Sequence, residues 1–162
     1  MIRILFCCLA LFAAALTTVS AEDGKIKVMS WNVWNYFIKG EKPRRQSLKE
    51  PASKEAMAIM FKLGSPDIVL IQEIGGKKAL NELKSLLAEN GLNYEFSDIM
   101  RGRDKSRHLA LLSKMKPFKV IKRDDQVFNV RPKKRRKDKN AAEMDEIGVQ
   151  RGFLHVIYKF DD

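Results

Sequence analysis

The sequence predicts an α/β domain, and three observations carry that reading. "DIVLIQE" (Asp67 to Glu73) is a short, nearly unbroken apolar run rich in β-branched residues, the pattern of a strand buried on both faces. After it, Leu80, Leu83, Leu86 and Leu87 recur at helical spacing and stop at Asn90-Gly91. Before it, a second helical pattern separates "DIVLIQE" from an earlier strand-like segment, so strands and helices alternate.

Taken in order, Lys25 to Val33 reads as a strand with Ile26 and Val28 on one face. Gly40 to Pro51 is polar and proline-bearing, a loop. From Ser53, the apolar positions Ala56, Ile59, Met60 and Leu63 recur at helical spacing until Gly64 and Pro66 end the helix. Beyond the second helix, "NYEFS", "HLALLS" and "FKVIK" read as short strands. A long polar stretch runs from Arg123 to Gln150, and "RGFLHVIYKF" is the last strand. There is no internal repeat, and 162 residues suit one domain.

The first 21 residues read as a leader, so the domain is expected over 22–162. Arg3 precedes "ILFCCLALFAAAL", and "TTVSA" follows: a basic start, an apolar core and small residues suited to cleavage between Ala21 and Glu22. The apolar run falls short of the ~20 residues that cross a bilayer, so export to the periplasm or exterior is expected, without a stable membrane span. Cys7 and Cys8 both lie in the leader, so no disulfide staples the mature chain. The whole chain carries a net charge of +11, and losing Arg3 leaves +10. "RPKKRRKDK" (Arg131 to Lys139) supplies +6 of it. That cluster suits either a solvated insertion or a loop drawn to a phosphate polymer or anionic lipid. It has no aromatic residue on which bases could stack.

The chemistry concentrates in "SWNVWNY" and "DIVLIQE". Glu73 closes its strand, and Asn32 takes the matching place on the first one. Two strands of one sheet can therefore bring an amide and a carboxylate to the edge where α/β sheets present ligands. A hard cation such as Mg²⁺ takes oxygen ligands of this kind and keeps several waters. Alone, Glu73 would read as a solvated strand end; its pairing with "SWNVWNY" shifts the balance. For Trp31 and Trp34 the reading is packing, one in the core and one under a loop. Asn35 reads as a chain-turning residue. His108 and His155 read as structural, and two separated histidines without cysteine argue against zinc.

"MSWNVWNY", "SPDIVLIQEI", "RHLALLSK" and "RGFLHVIYKF" resemble successive motifs of the endonuclease/exonuclease/phosphatase family, over Lys25 to Phe160. The resemblance implies a deoxyribonuclease-like sandwich of two β-sheets flanked by helices, of which this chain looks like a truncated N-terminal part. It implies hydrolysis of phosphodiester or phosphomonoester bonds with Mg²⁺ or Mn²⁺. Asn32 matches the family's first active-site asparagine and Glu73 its metal-binding glutamate; Gln72 supports the site. Arg44 and Arg45, with Lys42, follow the Asn32 strand, and substrate phosphate is their expected partner. The family's Asp-x-Asn pair, general-base histidine and closing Asp-His pair have no match here. The expected partners are a phosphate-ester substrate, either nucleic acid or phospholipid, and a completing chain. The expectation is thus a phosphoesterase silent as this chain. The alternative is a non-catalytic half-domain or a basic module for nucleic acid or anionic surfaces.

Overall fold

A computed structural model describes residues 25–130 and 145–160. Along the chain run β1 (Val28–Tyr36), α1 (Pro51–Gly64), β2 (Ile68–Ile74), α2 (Lys77–Glu89), β3 (Phe96–Met100) and β4 (His108–Ser113). Then come β5 (Lys119–Arg123), β6 (Val127–Val130), β7 (Asp145–Gly148) and β8 (Phe153–Ile157). The expected leader over residues 1–21 and the Arg131 to Lys139 cluster lie outside the described residues.

The architecture is mixed α/β. A four-stranded sheet has the order β1-β2-β4-β3, with β1 parallel to β2 and β4 antiparallel to both its neighbours. Two separate two-stranded sheets, β5-β8 and β6-β7, accompany it. β2 is buried as its apolar run predicts: Ile68, Val69, Ile71 and Ile74 are all in the core. Both helices pack on one sheet face. Met57 and Phe61 of α1 and Leu80, Leu83 and Leu87 of α2 share a cluster with Val69, Ile71, Ala110 and Leu112. Lys54 Nζ ties the helices together at 2.6 Å from Glu82 Oε1. Leu111, which alternation turns to the opposite face, is fully buried too. At β1 that second face is open, since Val28, Ser30 and Asn32 are exposed.

Several elements depart from the sequence reading. β1 starts at Val28 and runs on to Tyr36. Its inward face is Met29, Trp31 and Val33, whereas Ile26 and Val28 are exposed. α1 starts at Pro51, a residue whose fixed φ suits a first helical turn. It buries Met57, Ala58 and Phe61 in place of the expected stripe. Ala56, Ile59 and Met60 are exposed, and Leu63 is 77% exposed. Both stripes satisfy a 3.6-residue period. The one with phenylalanine wins because the large ring reaches the sheet and meets Trp31 at 5.3 Å. β3 is shifted downstream of "NYEFS"; Tyr94 is instead a buried anchor that donates from its hydroxyl to the Pro66 carbonyl at 3.0 Å. The polar stretch from Arg123 to Gln150 contains β6 and β7, paired through Phe128 and Ile147. The last strand is shorter than "RGFLHVIYKF".

Asp67 locks the end of the sheet far from Glu73. Its carboxylate accepts from the Lys27 N–H at 2.9 Å and from Lys114 Nζ at 3.0 Å. Burial alone would raise this carboxyl. The Lys27 N–H and the Lys114 ammonium outweigh burial and hold it below the ordinary 3.8. A depressed carboxyl adds stability that is complete above 3.8 and is lost as pH falls through the folded value. Asp67→Asn should therefore cost about 1–2 kcal/mol at neutral pH, because a partly exposed charged hydrogen-bond partner is lost. Urea melts across pH should show the gap to the parent closing in acid. A gap independent of pH would contradict the charged anchor.

Candidate active site at the carboxyl ends of β1 and β2

β1 and β2 run in register from Val28 opposite Ile68 to Asn32 opposite Gln72, and pairing resumes at Tyr36 opposite Ile74. Val33, Trp34 and Asn35 thus face the single Glu73. On its other side Glu73 is an extra residue, because β4 pairs His108 with Ile74 and Leu109 with Gln72. A bulge of this kind re-aims a side chain out of the strand alternation. The backbone records the cost: Trp34, Asn35 and Glu73 have φ of 51°, 57° and 62°. Left-handed backbone costs an L residue roughly 1–2 kcal/mol. Apart from Ser65 at the end of α1, these are the non-glycine residues with positive φ among the described residues. Such strain persists where the surroundings over-determine it, as at functional sites.

The surroundings are visible. Lys49, from the loop after β1, donates through Nζ to the Val33 carbonyl at 2.9 Å and the Trp34 carbonyl at 3.1 Å. These are carbonyls that the bulge releases from the ladder. Burial pushes the Lys49 ammonium below its ordinary 10.5. Asn32 Oδ1 accepts from the Trp34 N–H at 2.9 Å, forming an Asx-turn. Asn35 turns the chain as expected, and its Oδ1 accepts from Arg107 Nε at 2.5 Å. Gln72 Nε2 donates across to Ser30 Oγ at 2.9 Å, tying β2 to β1 just below the corner.

Glu73 is 17% exposed at its side chain, and Oε1 accepts from Arg151 Nη2 at 3.2 Å. Oε2 has no hydrogen bond among the described residues. Arg151 reaches the corner because the β3–β4 loop packs closely on its backbone. A Cβ on Gly102 would stand 2.7 Å from the Arg151 Cα, and the Asp104 N–H donates to the Gln150 carbonyl at 2.7 Å. Beside the corner lies a cleft of about 370 Å³, lined by Glu41, Gly76, Arg101, Lys105 and His108 among others. Glu41 caps α2 from outside: its carboxylate accepts from the Lys78 N–H at 3.1 Å and the Ala79 N–H at 2.9 Å. Gly76, at the N-cap, has no side chain to do so. His108 is buried, and its Nδ1 has no partner among the described residues. Burial, helped by the Arg101 charge, pushes its imidazole below the ordinary 6.5.

The expected residues are therefore placed as follows. Asn32 and Glu73 occupy neighbouring register positions at one corner. Arg44 and Arg45 are exposed on the loop that leaves the same strand end, without a polar contact among the described residues. Trp31 packs on the core as expected, but Trp34 is 76% exposed and lies under no loop. Its left-handed backbone turns it away from the sheet. Lys49, Arg151 and Glu41 were missed. No local pattern marks them, since each acts on a backbone or carboxylate distant in sequence.

Asn32 and Glu73 thus lie side by side toward the carboxyl ends of adjacent parallel strands, the edge at which α/β sheets commonly present ligands. The sequence profile of the Endonuclease/Exonuclease/phosphatase family matches residues 29–140, more than half of the chain, and the chain belongs to that family. A search of the curated proteins found no match. The family domain is that of a phosphoesterase- or nuclease-type hydrolase.

Proposed function

We propose that this chain is of the exported phosphoesterase type, dependent on Mg²⁺ or Mn²⁺ and catalytically silent by itself, with Glu73 as the metal carboxylate and Asn32 as the phosphate-side amide. The observation that supports it best is the bulged, left-handed Glu73 beside Asn32 in a member of this family. The donors suit a hard cation: a carboxylate with one oxygen uncommitted and an amide oxygen with a second lone pair. Among the described residues no group of three His, Cys, Asp or Glu is placed to hold a metal ion, so a cation bound by Glu73 and Asn32 would be held weakly and would keep most of its waters. Bound there, the metal would act as a Lewis acid toward a phosphoryl oxygen. Asn32 keeps two amide hydrogens to orient that phosphate, and Arg44 and Arg45 offer charge to it.

Proton transfer is the step these residues do not serve. His108 lines the cleft but is buried, and the one side chain bonded to Glu73 among the described residues is Arg151, which is not a base at neutral pH. A general base contributes about 10²–10⁴-fold. The chain alone should therefore hydrolyse bis-p-nitrophenyl phosphate near the rate without enzyme, with or without Mn²⁺. Robust turnover that EDTA removes would overturn this silence. Salt-sensitive DNA binding with no metal affinity would favour the basic binding module instead. Export is checked by N-terminal sequencing of extracytoplasmic protein, where Glu22 is expected and Met1 would contradict it.

A further inference from the structure

Trp34 is held out in solvent by its surroundings. Its backbone sits at φ 51°, a region that bulky L residues avoid. Both of its backbone polar groups are taken by side chains: the N–H by Asn32 Oδ1 at 2.9 Å, the carbonyl by Lys49 Nζ at 3.1 Å. Trp31 goes the other way, onto the core beside Phe61. The fold thus commits a strained residue, a lysine ammonium and an asparagine oxygen to keep one indole 76% exposed beside the Glu73 corner. An exposed, large aromatic residue in strained backbone is an outlier that points to a ligand.

We propose that Trp34 is a stacking platform for a nucleobase, which makes the ester that of a nucleotide or nucleic-acid strand. The proposal rests on the phosphoesterase reading and narrows its substrate class. An indole gives a base a flat π-face without regard to base identity. Insertion into lipid needs a continuous apolar surface, and the neighbours Asn32 and Asn35 are polar. The charges fit a strand as well. Arg44, Arg45, Arg101 and Lys105 have no carboxylate partner among the described residues, and the chain carries +11. Arg44 and Arg45 stand on the loop that leaves the strand of Trp34, and unpaired cations with an aromatic platform are what a single strand needs: phosphates on the cations, a base on the ring.

The test is titration of the full chain, in EDTA and low salt, with an oligothymidylate of about eight nucleotides, within the usual single-strand site size. Anisotropy of a dye on the strand reads affinity in every variant, and tryptophan emission reads contact with the indole. The parent should bind with quenching. Trp34→Ala should bind about tenfold to a hundredfold more weakly without that quench, and Trp34→Phe should recover most of the affinity. An abasic strand of equal length should bind the parent no better than oligothymidylate binds Trp34→Ala. Unchanged circular dichroism in both variants separates contact from folding. Equal affinity of the parent and Trp34→Ala would overturn the proposal. So would an abasic strand that binds as tightly, or indole emission that shifts on phosphatidylglycerol vesicles and not on the oligonucleotide. If Glu73→Gln loses Mn²⁺ while Trp34→Ala changes nothing, the substrate class falls and the phosphoesterase reading stands.

Discussion

Phe61→Ala should lose about 3–5 kcal/mol of stability, the usual cost of emptying a buried phenylalanine site. Phe61 is fully buried, lies 5.3 Å from Trp31 and touches the shared cluster of helices and sheet. A domain of this size has only about 5–15 kcal/mol in total, so the variant should be largely unfolded on mild warming. Ile59→Ala, one turn's side away on the same helix, should change stability by less than about 0.5 kcal/mol, because Ile59 is exposed. Urea unfolding followed by circular dichroism compares the two. Similar losses in both would mean that α1 packs through the other stripe.

That contrast shows how much of the fold can be read in the residues. The helix itself was legible from spacing and from Gly64 and Pro66. Its buried face was not, because "EAMAIMFKL" is apolar on two sides and only tertiary packing on Trp31 chooses between them. α2 was legible in both respects: Leu80, Leu83 and Leu87 are buried where the pattern puts them, with polar residues opposite. β2 was legible because few other elements are so continuously apolar. β6 and β7 were missed because their four-residue segments lie in a polar stretch, where no alternation rises above the charge.

The site divides in the same way. Asn32 and Glu73 could be nominated together because each lies near the end of a segment that reads as a strand, and the register does place them side by side. The parts that hold them could not. Lys49 lies in a polar loop among other lysines, and its role exists only once the bulge has freed two carbonyls. Glu41 caps a helix through the Lys78 N–H, 37 residues later in the chain. Arg151 stands 78 residues from its Glu73 partner. Trp34 was assigned to packing because exposure of a tryptophan follows from left-handed backbone, which no apolar pattern announces.

Loss of metal binding in Glu73→Gln is the other large effect expected. The substitution keeps the size of the side chain and removes its charge. A hard cation held by one carboxylate, an amide oxygen and waters would lose its one anionic ligand, and no group of three acidic, His or Cys residues among the described residues is placed to replace it. Arg151 is the competitor: its guanidinium holds Glu73 Oε1, and its charge opposes a cation at the uncommitted Oε2. Partly exposed ion pairs are worth up to ~1 kcal/mol, which makes Arg151→Met about fivefold tighter for the metal. The decisive measurement is calorimetric titration of Mn²⁺ into the parent, Glu73→Gln and Arg151→Met. Weak binding in the parent, none in Glu73→Gln and tighter binding in Arg151→Met is the predicted result; the same Mn²⁺ affinity in the parent and in Glu73→Gln would contradict the metal site.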